Sequence, residues 1–348
     1  MNNRILYLSR LKALACIAVT VLHTFLAANM FSQNAGSQGA MMAVRNCMMW
    51  AVPCFVMASG ALLLDSKRVL TMKKLFGKYV LRMALALVIF SILFAVFDGV
   101  LLNKSSVSEI CKSSFNAIFL GTGWMHMWYI YLLFALYLLL PVYKLVSGNA
   151  PPELIKYMLA VYAVFTSLIP FIETLSGKKL PFYICIYTIY PLYFFLGHAL
   201  HTGIIKLPKR ACGLMFVICL GITAMMTFYA YNNLTASPDA SGKMISMLGV
   251  YSFPIYIATA LSAFGFCRKT KNQSIPVIDK IAAELDNCSF GIYLIHMAVL
   301  RYIFLYLKFN PFEHGGTITI IGICIATVII SYAITKLLKF VPYVNKLI

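Results

Sequence analysis

The sequence predicts an all-α, polytopic membrane protein, a bundle of about ten transmembrane helices. Three observations lead there. With 61% hydrophobic and 11% charged residues and a mean hydropathy of +0.85, the 348-residue chain has too little polar side chain to coat a water-soluble globule. Runs of eighteen or more predominantly apolar residues recur ten times, each about long enough to cross a hydrocarbon core as a helix. The runs are long and continuous, whereas barrel strands leave short alternating segments.

The predicted spans are 9–29, 41–64, 80–102, 126–146, 154–173, 182–204, 211–231, 244–267, 288–308 and 316–338. Of the 29 lysines and arginines, 21 fall in the N-terminal segment and the alternate loops that share its side, and 8 fall in the others. The positive-inside rule therefore places both termini in the cytoplasm. The same asymmetry explains most of the +19 net charge, so nucleic acid is not needed as a partner. The first span has the basic start of a secretory signal, but nine further spans follow, which makes it an uncleaved anchor.

Between spans, the segment 103–125 is rich in Ser and Asn, and 277–285 reads as a short surface helix with apolar and charged faces. No linker or internal repeat interrupts the chain, so residues 1–348 read as a single integral membrane domain. The ten cysteines are scattered singly, with no C-x-x-C pair and no Cys/His cluster at zinc spacing. They predict small apolar packing residues, no disulfide and no metal.

The first span, "RLKALACIAVTVLHTF" at 10–25, carries the most informative polar residues. Lys12 and His23 are eleven residues apart, almost three helical turns, and so share one face about 16 Å apart along the axis. Arg10 points elsewhere. A titratable group in such a segment normally faces a bundle interior or a cavity. His23 has two readings: an interhelical hydrogen-bonding residue, or a general base able to take a proton from a hydroxyl attacking a thioester.

A lysine or arginine followed ten intervening residues later by histidine resembles the first-span signature of the acyltransferase-3 family of integral membrane O-acyltransferases. Further pieces agree in order: "VPCFVMASGALLL" at 52–64, resembling F-F-x-x-S-G-x-L-L, then "HMWYIYLLFALYLLLP" at 126–141, resembling H-L-W-Y-L, "YFFLGHAL" at 193–200 and "SFGIYLIHMAVL" at 289–300. The short branch without an appended soluble domain is similar to O-acetyltransferases of surface glycans and to proteins of intercellular-adhesin systems. The resemblance implies a bacterial inner-membrane enzyme and no tightly bound cofactor. It also implies acetyl-CoA or another acyl-CoA as co-substrate and a hydroxyl of a surface glycan or lipid-linked saccharide as acceptor. It makes Lys12 and His23 the family's first-span pair. Two departures stand out: lysine in place of arginine at Lys12, which loses the bidentate fork, and Met297 where relatives have proline after the histidine.

Other candidates follow from position. Lys74, Lys78 and Arg82 recur every four residues and, if helical, share a face; they either obey the positive-inside rule or, for Lys78 and Arg82, meet the phosphates of the donor. The family commonly has arginine at the position of Arg82. His126 and Trp128 open the fourth span as an aromatic belt or as a wall of the acceptor site, and His296 lies at mid-membrane in the ninth, as a structural hydrogen-bonding residue or an acceptor contact. His198 and His201 read as interfacial. Asp98 is the one acid inside a span on the outer half, and so the candidate carboxylate behind a base at His23; Glu173 is a weaker one. Ser59 sits in no nucleophile elbow, which favours direct transfer over an acyl-serine. A transporter is the alternative function, although no matching pair of broken spans marks two halves.

Overall fold

The computed structural model describes residues 5–66, 68, 70–180, 186, 188–270 and 274–348. The first part of the sixth predicted span, 182–185 and 187, lies outside them. Among the described residues the secondary structure is helical: α1 Leu6–Ala28, α2 Ala35–Cys47, α3 Ala51–Leu63, α4 Met72–Lys74, α5 Leu81–Phe97, α6 Val107–Phe119, α7 Trp128–Leu138, α8 Leu140–Asn149, α9 Pro152–Ala163, α10 Ile169–Ser176, α11 Tyr190–Thr202, α12 Lys209–Asn232, α13 Pro238–Leu248, α14 Pro254–Lys269, α15 Pro276–Arg301, α16 Thr317–Leu338 and α17 Val344–Leu347. Wide π-helical turns occupy Leu75–Val80, Asp98–Asn103, Val164–Leu168 and Tyr302–Tyr306.

Seven of these helical stretches are long and apolar enough to cross a membrane, eight if α7 and α8 count as one span bent by 55°. The bend falls just before Pro141, which cannot continue the hydrogen-bond ladder of the turn before it. Two predicted spans are shorter. The sixth contains the 13-residue α11, which begins next to Pro191. The eighth is broken between α13 and α14, where Gly249 ends one helix and Pro254 opens the other. The surface helix predicted at 277–285 is instead the first part of α15, continuous with the ninth span because no glycine or proline stands between 277 and 290.

The chain divides into two compact units, residues 1–68 with 144–287, and residues 69–143 with 288–348. In the first, α3 and α11 approach backbone to backbone. A Cβ on Gly60 would lie 1.8 Å from the Phe194 carbonyl oxygen, and one on Gly197 would lie 1.9 Å from that of Met57. The glycines of "VMASGALLL" and "FFLGHAL" are therefore packing residues. That contact buries Tyr193, Phe194 and Phe195. A second cluster joins Leu22 and Met49 to Met247, Leu248, Phe253 and Tyr256, seating α1 against the α13–α14 break. In the second unit, Phe90 and Phe94 of α5 are buried, and Gly291 of α15 admits Thr335 of α16, whose side chain would lie 2.3 Å from an added Cβ.

Candidate functional site

In the larger unit, α1 carries its polar residues at two levels. Near its start, Lys12 Nζ lies 2.7 Å from Asp286 Oδ1, and Ser9 Oγ donates to Asp286 Oδ2 at 2.8 Å. Arg10 is buried and donates from Nε to Asp279 Oδ1 at 2.6 Å, with a second N–H reaching the Thr270 carbonyl at 3.1 Å. Asp279 also accepts from the Ile275 N–H and from Ser274 Oγ. Asp279 and Asp286 are seven residues apart, two turns of α15, so one helix face clasps the start of α1. The sequence reading placed Asp279 in a short surface helix, left Asp286 outside it, and set Arg10 off the face shared by Lys12 and His23. The missed signal is two acids at a seven-residue interval opposite a cationic helix start.

His23 lies half-buried eleven residues further on, next to Leu22, which belongs to the cluster with Met247 and Phe253. Elsewhere in this unit, the Tyr7 hydroxyl and His201 Nδ1 are 2.5 Å apart, and His198 is buried. Lys144 Nζ donates to the Leu63 and Asp65 carbonyls, a cation placed at the C-terminal end of α3 where helix carbonyls lack partners.

In the smaller unit, Asp98 and Arg301 each stand where a regular helix meets a wide turn. Arg301 donates from NH2 at 2.7 Å and from Nε at 3.1 Å to Asp98 Oδ1. Trp124 Nε1–H donates to Oδ2 at 2.7 Å, its ring stacks on Phe94 with centroids 4.0 Å apart, and the Arg301 guanidinium lies 4.6 Å from the indole centre. Both carboxylate oxygens of Asp98 are thus engaged inside this unit. Sequence reasoning singled out Asp98 but missed Arg301 and Trp124, which lie 203 and 26 residues from it in the chain.

Beside this group, His126 and His296 come together with ring centroids 5.5 Å apart, and Tyr293 and Phe94 each lie 5.4 Å from the His126 ring. The Tyr293 hydroxyl donates to the His126 carbonyl. His296 is fully buried, and its Nδ1 lies 3.1 Å from the Ile292 carbonyl. A carbonyl only accepts, so the neutral ring keeps its proton on Nδ1 and its lone pair on Nε2. Trp128 is half-buried, edge-on to Tyr129. The cations 74, 78 and 82 do not share one face. The wide turn Leu75–Val80 leaves Lys74 and Lys78 exposed, while Arg82 turns inward, donates to the Leu347 carbonyl at 2.8 Å and covers the Phe290 ring at 5.0 Å. Among the described residues no three His, Cys, Asp or Glu side chains gather as metal ligands.

A family model described as an acyltransferase domain matches residues 5–336, nearly the whole chain. No curated protein and no solved structure matches it.

Proposed function

We propose a membrane O-acyltransferase that moves an acetyl or other short acyl group from acyl-CoA to a hydroxyl of a cell-envelope glycan or glycolipid, and the premise is that the chain belongs to the acyltransferase-3 family. The match over residues 5–336 carries the reading, because it spans every candidate residue. The proposed setting is a bacterial inner membrane, with both termini in the cytoplasm and the donor entering from that side.

In the larger unit, His23 is the general base and Lys12 a point charge for the donor. The His23 imidazole takes the proton of the acceptor hydroxyl as its oxygen bonds to the thioester carbonyl carbon. The C–S bond then breaks, and the departing CoA sulfur receives that proton from the imidazolium. Proton transfer of this kind contributes roughly 10²–10⁴-fold, and holding the two reactants in line supplies more. In the smaller unit, Lys78 and Arg82 are proposed for donor phosphates, and His126, Trp128 and His296 for the acceptor. Asp98 serves there by holding Arg301 and Trp124 in place. Those rings and N–H groups suit a saccharide, whose C–H faces pack on aromatic rings and whose hydroxyls donate and accept.

The test is label transfer. Purified protein in lipid nanodiscs, given acetyl-CoA labelled in the acetyl group and a lipid-linked envelope saccharide fraction, should release CoA and label the saccharide at an alkali-labile ester. Absence of labelled saccharide with every short acyl-CoA tried contradicts the reading.

A further inference from the structure

Two hollows flank the 249–253 loop that separates α13 from α14. One, about 240 Å³, is lined by Ser167, Thr174, Ser246, Met247 and Phe253 among others; the second, about 410 Å³, by Phe165, Thr166, Tyr190 and Tyr251 among others. Pro170, Val250 and Ser252 line both, so the hollows are two arms of one cleft. The larger arm has the size of small-molecule sites, roughly 300–1,000 Å³. Among the described lining residues there is no charged side chain, so nothing there matches a phosphate or a free carboxylate. The cleft instead combines aromatic rings with neutral hydroxyls.

Three of those hydroxyls are polarised one way. Thr166 Oγ1 donates to the Tyr162 carbonyl at 2.6 Å, Thr174 Oγ1 to that of Pro170 at 2.7 Å, and Ser167 Oγ to that of Ser252 at 2.5 Å. Each hydroxyl has one proton, so these three oxygens keep only lone pairs for a ligand. The backbone adds a further acceptor. In the wide turn Val164–Leu168 the Ile169 N–H reaches back five residues to the Val164 carbonyl. Position 170 would serve the Phe165 carbonyl in the same register, but proline has no N–H to give. Wide turns of this kind concentrate at functional sites. Four acceptors fixed in this way, set among aromatic rings and further hydroxyls, suit a ligand that is neutral and carries O–H donors.

The cleft also shares residues with a cluster that reaches α1. Met247 and Phe253, which line its smaller arm, pack in one cluster with Leu22, the chain neighbour of His23. We infer that this cleft binds an uncharged saccharide unit of the acceptor, its O–H groups donating to the Thr166, Ser167 and Thr174 oxygens and to the Phe165 carbonyl. The inference rests on the glycan-acceptor reading above and adds a binding subsite to it.

Binding is measured apart from transfer, by saturation-transfer NMR on the full chain in lipid nanodiscs, with methyl β-glucoside and N-acetylglucosamine as probes and glucose 6-phosphate as the charged control. Two variants test the cleft. Val250→Trp fills the part shared by both arms. Pro170→Ala restores the N–H that the Phe165 carbonyl lacks and relieves a proline, so it should fold at least as well as the parent. The expected result is saturable binding of a neutral probe, weaker by tenfold or more in Val250→Trp and by several-fold in Pro170→Ala, and no binding of the phosphate. Equal binding by parent and Pro170→Ala, no saturable binding of either neutral probe, or equal binding of glucose 6-phosphate overturns it. Neutral-sugar binding lost in the cleft variants supports the cleft even where the parent transfers no acyl label, a combination that removes the enzyme reading alone.

Discussion

Asp98 and Arg301 are joined by two N–H donors converging on one carboxylate oxygen, while Trp124 holds the other oxygen at 2.7 Å. The side chains are 21% and 26% exposed, so each charge is largely withdrawn from water and depends on the other. Losing one partner strands the other, and breaking a buried pair costs roughly 3–5 kcal/mol. Arg301→Ala and Asp98→Ala should each lower the thermal unfolding midpoint in detergent, toward the lower end of that range given their partial exposure. Replacing both together with apolar residues, Asp98→Leu with Arg301→Met, should recover much of the loss. A double-mutant cycle without coupling contradicts the pair's role.

The α3–α11 contact makes a sharper prediction about glycine. Gly60→Ala would drive a methyl to within 1.8 Å of a backbone carbonyl, which a side-chain rotation cannot relieve. The helices must part, at a cost above the roughly 1–3 kcal/mol of ordinary overpacking. Gly77→Ala, whose added methyl meets nothing within 4 Å, serves as the control. Folded yield by size-exclusion chromatography should collapse for the first variant and hold for the second.

Asp286 competes with any donor anion for the Lys12 ammonium. If Lys12 meets the donor, Lys12→Ala should raise the KM for acyl-CoA several-fold, and Asp286→Asn, which frees the ammonium, should lower it. Both should leave kcat close to the parent value. A donor KM indifferent to both substitutions removes Lys12 from donor binding, and the pair is then a structural clasp between α1 and α15.

The segment 103–125 offers an independent check on local structure. Ser106 and Glu109 cap α6 reciprocally, with the Ser106 N–H and Oγ both donating to the Glu109 carboxylate, which holds that carboxyl below its ordinary value. A depressed carboxyl stabilises above its unfolded-state pKa and loses that contribution as pH falls through the folded value. Backbone exchange in α6 should therefore accelerate on acidification below the ordinary carboxylate range. In Ser106→Ala it should be faster at neutral pH and less sensitive to acid. Equal acid sensitivity of parent and variant contradicts the cap.

Much of this fold was legible because long apolar runs leave a chain few choices. Most of each predicted span is helix where the structure describes it, apart from short turns such as 48–50; the larger exceptions have local causes: Pro191 shortens α11, and Gly249 and Pro254 split the eighth span. The site was legible residue by residue but not as pairs. His126 and His296 both lie in motif-bearing segments, and they come together. The Asp98–Arg301–Trp124 group was hidden because its members stand far apart in the chain, Arg301 203 residues and Trp124 26 residues from Asp98. Asp279 read as part of a short surface helix and Asp286 as the loop after it, because the sequence does not say that α15 continues through both to meet α1.

The central claim is that the His23 imidazole removes the acceptor proton. Its most direct measurement is the single-turnover rate of acyl transfer from labelled acetyl-CoA to the saccharide by His23→Gln, at an unfolding midpoint matching the parent. The predicted result is a fall of about 10²–10⁴-fold with donor affinity unchanged. A folded His23→Gln protein that transfers the label at a rate within a few-fold of the parent would contradict the account.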